Sequence, residues 1–338
     1  MENNKNILNN QILNILNKGI LDGEVTILTQ KDIPLISQIA STLPLYPNGD
    51  KQAEIIFVAA PTGAGKDTLV RKITSHNPDK NYVVLNMDMF RHYYSSVDSS
   101  LSISDKNYAM DTNEVSYEIY YLIEELILNY YNNTNVILTG TIKDTPWIEN
   151  ILKKYKKQNY SVSLSALAVP YSESAISIFE RYLNMVKTQL ESKSQDNSPI
   201  RFTGLQYHDE TFNAFSNSLK HFEDSLNTEP NVLLDNINVY KRDKSIHDLS
   251  EDTLLYSSSV PSNTTATNVV NSILNAEHTI APQRFSKLLS IVEEYSDYLK
   301  SQNVYNETIE SLKKIYSLNK KIDKSVSVNN DLETILFD

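Results

Sequence analysis

The stretch Ala60-Pro-Thr-Gly-Ala-Gly-Lys-Asp-Thr68 follows the apolar run Ile-Ile-Phe-Val-Ala59 directly and leads straight into Leu-Val-Arg-Lys-Ile73. Backbone N–H groups can close around a phosphate only where no β-carbon intervenes, so such a loop needs glycine at its closest approaches. Gly63 and Gly65 occupy those places, and Lys66 adds the point charge that reaches β- and γ-phosphates. An ordinary strand-to-helix turn needs neither the two glycines nor the lysine in that order. The nucleotide-contacting segment is therefore Pro61, Thr62, Gly63, Ala64, Gly65, Lys66, Asp67 and Thr68. Two positions depart from the usual pattern. Ala60 stands where the first glycine is common, which is tolerable at negative φ. Asp67 stands where a hydroxyl usually holds Mg²⁺. Either Asp67 or Thr68 is the metal contact, and Asp67 equally suits the first turn of a helix.

Outward from the loop, short apolar runs at 55–59, 82–85, 136–138, 163–169 and 232–234 read as strands. Amphipathic patterns at 66–75, 114–131, 146–155, 172–190 and 208–226 read as helices. The runs are near-continuously apolar, as in parallel strands covered on both faces. The alternation gives a doubly wound α/β core, a parallel sheet flanked by helices. Ahead of it lie a helix over 7–21, closed by Gly19 and Gly23, a second over 31–43 with Pro34 in its first turn, and a turn at 43–50. These Asn-rich helices either pack on the core or form an interaction or inhibitory arm. After Arg242 the strands stop; a polar connector at 257–264 precedes helices over 268–276, 285–299 and 307–318, a C-terminal helical appendage. The expected division is 1–50, 51–245 and 246–338.

The composition supports a globular chain: 338 residues, 40% hydrophobic and 22% charged. Only 7 glycines and no cysteine are present, against about two dozen glycines at average usage. Disulfide, thiolate and cysteine–zinc chemistry are thus excluded. The balance of 31 basic against 42 acidic residues, net −11, argues against nucleic acid or an anionic membrane as partner. It leaves room for a small anionic ligand. No apolar run spans a bilayer and no secretory signal opens the chain, so the expectation is a soluble protein of a reducing compartment.

Downstream segments resemble, in order, the zeta-toxin family of bacterial P-loop kinases. Val84-Leu-Asn-Met-Asp-Met-Phe-Arg91 is similar to the family's strand-then-Asp segment, and Val136-Ile-Leu-Thr-Gly-Thr-Ile-Lys143 to its Glu-Gly-Thr-x-Arg. Ala168-Val-Pro170 with Phe179-Glu-Arg-Tyr182 resembles a specific pair, and Ile200-Arg-Phe-Thr203 with His208-Asp209 follows. The resemblance covers roughly 50–243. It implies transfer of the γ-phosphate of ATP or GTP, with Mg²⁺, to a sugar hydroxyl, usually the 3′-hydroxyl of UDP-N-acetylglucosamine, by a toxin held by an antitoxin. It makes Asp88 the base, and Lys66, Arg181 and Arg201 a cationic clamp. The acceptor side would comprise Asp88, Arg91, Thr139, Thr141 and Lys143.

Thr139 replaces the family's third-strand glutamate, and its second acceptor glutamate has no clear counterpart; Glu118, Tyr120 and Tyr121 lie nearby in sequence. Losing a carboxylate that binds acceptor hydroxyls changes the acceptor tolerated. The expectation is a small-molecule kinase whose donor half is kept and whose acceptor half is rewritten. UDP-amino-sugars come first and a dinucleotide such as NAD second. The alternative is a degenerate toxin that binds nucleotide without catalysis.

Overall fold

The computed structural model describes residues 2–45, 52–98, 103–192, 199–226, 233–242, 254–323 and 336. Two helices, α1 (Glu2–Asp22) and α2 (Ile33–Thr42), precede β1 (Glu54–Ala59) and α3 (Lys66–His76). Next come β2 (Tyr82–Leu85), a 3₁₀ segment Met87–Tyr93, α4 (Tyr94–Val97), α5 (Tyr108–Asp111) and α6 (Asn113–Tyr130). Then follow β3 (Asn135–Gly140), α7 (Thr145–Lys157), β4 (Ser161–Ala168), α8 (Tyr171–Glu191), α9 (Leu205–Ser225) and β5 (Asn236–Lys241). The chain goes on through β6 (Leu254–Ser257), α10 (Ala266–Leu274), α11 (Pro282–Glu294), α12 (Ser296–Ser301) and α13 (Tyr305–Ile322).

The strands form one sheet in the order β2-β3-β1-β4-β5-β6, parallel except for β6. β1 lies centrally between β3 and β4, with Phe57 level with Leu138 and Leu164. Its Ile55, Phe57, Val58 and Ala59 are fully buried, which is why this run shows no polar alternation. Successive crossovers leave β1 toward opposite edges, and a sheet wound both ways opens a crevice at the carboxyl ends of its strands.

Several boundaries differ from the sequence reading. The last parallel strand is at Asn236–Lys241, not 232–234: Leu233 and Leu234 are buried but unpaired loop, and Val232 lies outside the described residues. Apolarity there reflects packing, while the strand itself alternates between buried Ile237 and Val239 and half-buried partners. The strands do not stop at Arg242. β6 pairs antiparallel with β5 across a bulge, as a short exposed edge whose four residues carry little periodic signal. The connector after it begins tied down, with Ser258 Oγ accepting from Ile237 N at 2.9 Å and its amide donating to Ile237 O at 2.9 Å. Gly19 lies inside α1, which ends at Gly23 in the left-handed region. Of the turn read at 43–50, residues 46–50 fall outside the described residues.

The ends of the chain are built into the core. The loop between α1 and α2 wraps the buried Glu118 carboxylate of α6, which accepts from the amides of Thr26, Ile27 and Leu28 at 2.6, 2.9 and 2.8 Å. α11 and α13 pack on α8, where Phe285, Leu288, Leu312 and Tyr316 join Ile176, Phe179 and Leu183 in a second apolar core.

Candidate active site

The loop after β1 takes the shape that the glycines require. Gly63 (φ 81) and Gly65 (φ 93) are left-handed, whereas Ala60 is not among the positive-φ residues. A β-carbon at Gly63 would also sit 2.1 Å from Ser174 O of α8, so side-chain space is missing there as well as backbone freedom. Ala60 is fully buried, its amide donating to Gly140 O at 3.4 Å. It continues the sheet, which removes any need for glycine at that place. α3 then begins at Lys66, and its first turn, Lys66 to Leu69, lines the crevice.

Every residue expected at the site except Pro61 lines one cleft of about 1030 Å³: Thr62 to Thr68, Asp88, Arg91, Thr139, Thr141, Lys143, Arg181 and Arg201. Pro61 is buried behind the loop and accepts from Ala64 N at 3.2 Å. The cleft walls carry eight basic residues (Lys66, Lys72, Arg91, Lys143, Arg181, Arg201, Lys241 and Arg242) against three acidic ones (Asp67, Asp88 and Asp144). In a chain of net −11, this concentration of positive charge marks a site for anions.

Lys66 Nζ donates to Ala60 O at 3.5 Å. Burial lowers its pKa to about 8, against the pull of Asp88 and Asp67, and with Arg181 and Arg201 adding to the depression. Burial, then repulsion from Arg201, likewise lowers the Arg181 guanidinium. A site that disfavours its own cations is completed by an anion.

Asp88 follows β2, its amide donating to Asn86 Oδ1 at 2.9 Å. Its Oδ1 accepts from Arg91 Nε at 2.7 Å, and its Oδ2 forms a close ion pair with Arg201 Nη1. Burial raises the carboxyl, but Arg201 and Arg91 outweigh it and hold it below the ordinary aspartate value. Arg91, expected to meet the acceptor, is buried and engaged by protein. Its Nη1 donates to Ala109 O (2.6 Å) and Thr112 Oγ1 (3.1 Å), and its Nη2 to Asn113 Oδ1 (3.3 Å). Its Nε holds Asp88, and most of its other donors are taken by protein. Arg201 Nε, by contrast, is buried without a partner among the described residues. Arg181 Nη2 donates to Thr203 Oγ1 at 3.3 Å, which joins the two arginine segments.

On the β3 side, Thr139 is buried and its hydroxyl has no partner among the described residues. Lys143 is half-exposed, in a close ion pair with Glu210 and 5.6 Å from the centre of the Tyr207 ring. Glu118, Tyr120 and Tyr121 stand away from the cleft. Glu118 holds the N-terminal loop, and Tyr120 donates to Glu124 at 2.9 Å within the core. The cleft residue that α6 does supply is Asn113, at its start. Among the described residues, none that lines the cleft belongs to α1 or α2. His208 is fully buried in α9, bonded to Ser174 Oγ at 2.9 Å and lowered by burial to about 4.

The sequence reading missed Arg242. It follows β5 directly, donates to Ser177 Oγ at 3.0 Å and Gly63 O at 3.4 Å, and lies 3.6 Å from Glu173. Its signal, a basic residue at a strand's carboxyl end, was hidden because that strand was read too early. Trp147, Tyr108, Tyr207 and Tyr240 also line the cleft; without a known depth for each loop, four aromatics among 21 tyrosines and one tryptophan carried no mark.

A phosphate loop at the centre of a parallel sheet, with cations converging from later segments, defines a P-loop protein of kinase type. The zeta-toxin family model matches residues 36–253, and the chain belongs to that family of toxin kinases. A chain of the PezAT chromosomal toxin–antitoxin system of Streptococcus pneumoniae has a similar fold, with TM-score 0.58 and 18% identity over 81% of this chain and 99% of that one. A chain of the native AvrRxo1-ORF1:ORF2 complex is similar at TM-score 0.50 and 11% identity, over 86% of this chain and 88% of that one. No curated protein matches. Among the described residues no helix is long and apolar enough to cross a membrane, and no cluster of acidic and histidine side chains forms a ready-made metal site.

Proposed function

We propose that the protein transfers the γ-phosphate of ATP, or of GTP, to a hydroxyl of a nucleotide-linked small molecule. The observation that carries this reading is the meeting of Lys66, Asp88, Arg181 and Arg201 in one cleft at the carboxyl ends of β1 and β2. Lys66 and the amides of Gly63 to Asp67 would bind the β- and γ-phosphates. Arg181 and Arg201, with an unpaired Nε on the latter, would stabilise the equatorial oxygens as they take up charge. Asp88 would accept the acceptor's hydroxyl proton as that oxygen bonds to phosphorus and the bond to the bridging oxygen of the leaving diphosphate breaks. Arg201 pairs with one Asp88 oxygen, so a phosphate that draws Arg201 to itself would free that oxygen while Arg91 keeps hold of the other. Asp67 is exposed in the first turn of α3, while the Thr68 hydroxyl accepts from Arg71 at 3.3 Å. The hard carboxylate oxygen of Asp67 fits Mg²⁺, and Asp67 would hold the ion. Bound Mg²⁺ would screen the charge of the transferring phosphates.

The acceptor is the 3′-hydroxyl of a UDP-N-acetylglucosamine-like molecule as first choice and NAD as second. Thr139, whose buried hydroxyl has no partner among the described residues, would offer the acceptor one hydroxyl, and Trp147 and Tyr207 offer flat faces for a base. Action as a toxin or effector in the bacterial cytosol, restrained by an antitoxin, follows from the family. The test is an ATP-dependent mass shift across a metabolite extract, followed by each purified acceptor. One acceptor should gain a phosphoryl group with the wild type and not with Lys66→Ala or Asp88→Ala; equal turnover by those variants sinks the reading. One observation favours the non-catalytic alternative, namely that Asp88 is held by two arginines. That reading predicts calorimetric ATP binding and no product from any acceptor.

A further inference from the structure

Arg201 sits on a loop between α8 and α9, where little regular structure would hold it. The amides on either side of it are fixed by a single residue. Ile200 N donates to Asp105 Oδ1 at 2.8 Å, and Phe202 N donates to Asp105 O at 3.1 Å. Asp105 is fully buried. Its second carboxylate oxygen accepts from Tyr182 OH at 2.8 Å and Tyr298 OH at 2.9 Å, and its amide donates to Gln302 Oε1 at 3.0 Å. Tyr182 immediately follows Arg181. One aspartate thus bonds beside both arginines of the cleft, and α12 supplies Tyr298 while Gln302 directly follows that helix. Both lie beyond residue 253, where the family match ends.

A buried carboxylate without partners is costly, so its donors constrain where it and they can sit. Phe202 packs edge-on against Tyr182, ring centres 5.1 Å apart, which closes the arrangement on the apolar side. We propose that Asp105, with Tyr298 and Gln302 from the C-terminal helices, is a positioning clamp that holds Arg201 beside Arg181 for the γ-phosphate. Asp105 touches no reactant; it acts through the backbone of residues 200 and 202. The C-terminal helices are then part of the phosphate-binding machinery and not an addition to it. This inference rests on the proposed phosphotransfer only for the ligand that Arg201 meets.

Tyr298→Phe removes one hydroxyl and leaves the ring's packing, and Asp105→Asn is the stronger companion. Two readouts are used on the full chain. Amide hydrogen exchange over 199–205 should speed up in both variants at unchanged global stability. The preference for ATP over ADP, which reads the γ-phosphate contact, should fall about tenfold in Tyr298→Phe. In an Arg201→Ala background the same substitution should change that preference by less than about twofold, since its effect runs through Arg201. An equal loss in both backgrounds, or a lowered melting temperature with the preference intact, overturns the positioning role. If the wild type shows no ATP preference at all, the phosphotransfer reading fails. Exchange then decides the clamp alone, and unchanged exchange in Tyr298→Phe overturns it.

Discussion

Gly63, Gly65 and Lys66 lie within four consecutive residues, whereas Asp88, Arg181 and Arg201 come from three segments spread over more than a hundred. The loop after β1 is shaped first by its own backbone, with two left-handed glycines and a helix start, and Ser174, Thr211 and Arg242 then pack against it. The arginine side has no such local code. Arg91 is fixed by α6 and the residues before it, and Arg201 by Asp105 and the C-terminal helices. The loop's shape is thus written largely in its local sequence, while the placing of the arginines depends on packing between distant segments.

The comparison breaks most sharply at Asp88. Asp88→Asn should lower turnover by about 10³-fold or more while ATP affinity moves only a few-fold, measured by coupled assay and calorimetry. A parallel loss of ATP binding would place Asp88 in the donor half instead. Gly63→Ala should do the reverse. It strains a φ of 81° and drives a methyl against Ser174 O, so ATP affinity should fall on the order of 100-fold, with a lower melting temperature.

Lys66 sharpens the donor half through pH. Burial lowers its pKa from 10.5 to about 8, so the empty site loses that proton above pH 8, and phosphates favour its return. ATP binding should therefore take up about half a proton at pH 8, more at about pH 9, and almost none below about pH 7, read by calorimetry in buffers of different ionisation enthalpy. In the ligand-free protein the native state binds fewer protons than the unfolded chain over that window, so the Lys66 contribution makes stability rise with pH there. The smallest functional effect belongs to Glu118→Ala. Three amides lose a buried acceptor, and stability should drop by about 2–3 kcal/mol in urea unfolding with kcat and KM unchanged. A change in kcat would mean that the N-terminal helices reach the cleft after all.

Much of the site was legible because its residues stand at strand ends. Once 55–59, 82–85 and 136–138 are read as parallel strands, the residues just after them must meet at one edge of the sheet. Arg242 was lost by the same logic, since a buried loop at 233–234 imitates a strand in apolarity alone. Arg91 was found but its task was not. A guanidinium near an aspartate reads as a ligand contact until Ala109, Thr112 and Asn113 are seen to take its donors.

The sheet class, the left-handed glycines after β1 and the charges at the strand ends were legible in the sequence alone, because they rest on periodicity and on glycine at positive φ, both local properties of the chain. Only the tertiary structure decided which charges face the cleft and which are engaged by protein, and that Tyr298 and Gln302 help to hold Arg201. Those contacts join residues from 18 to 197 positions apart, and which side chain a buried carboxylate or guanidinium meets across such separations depends on how the helices pack.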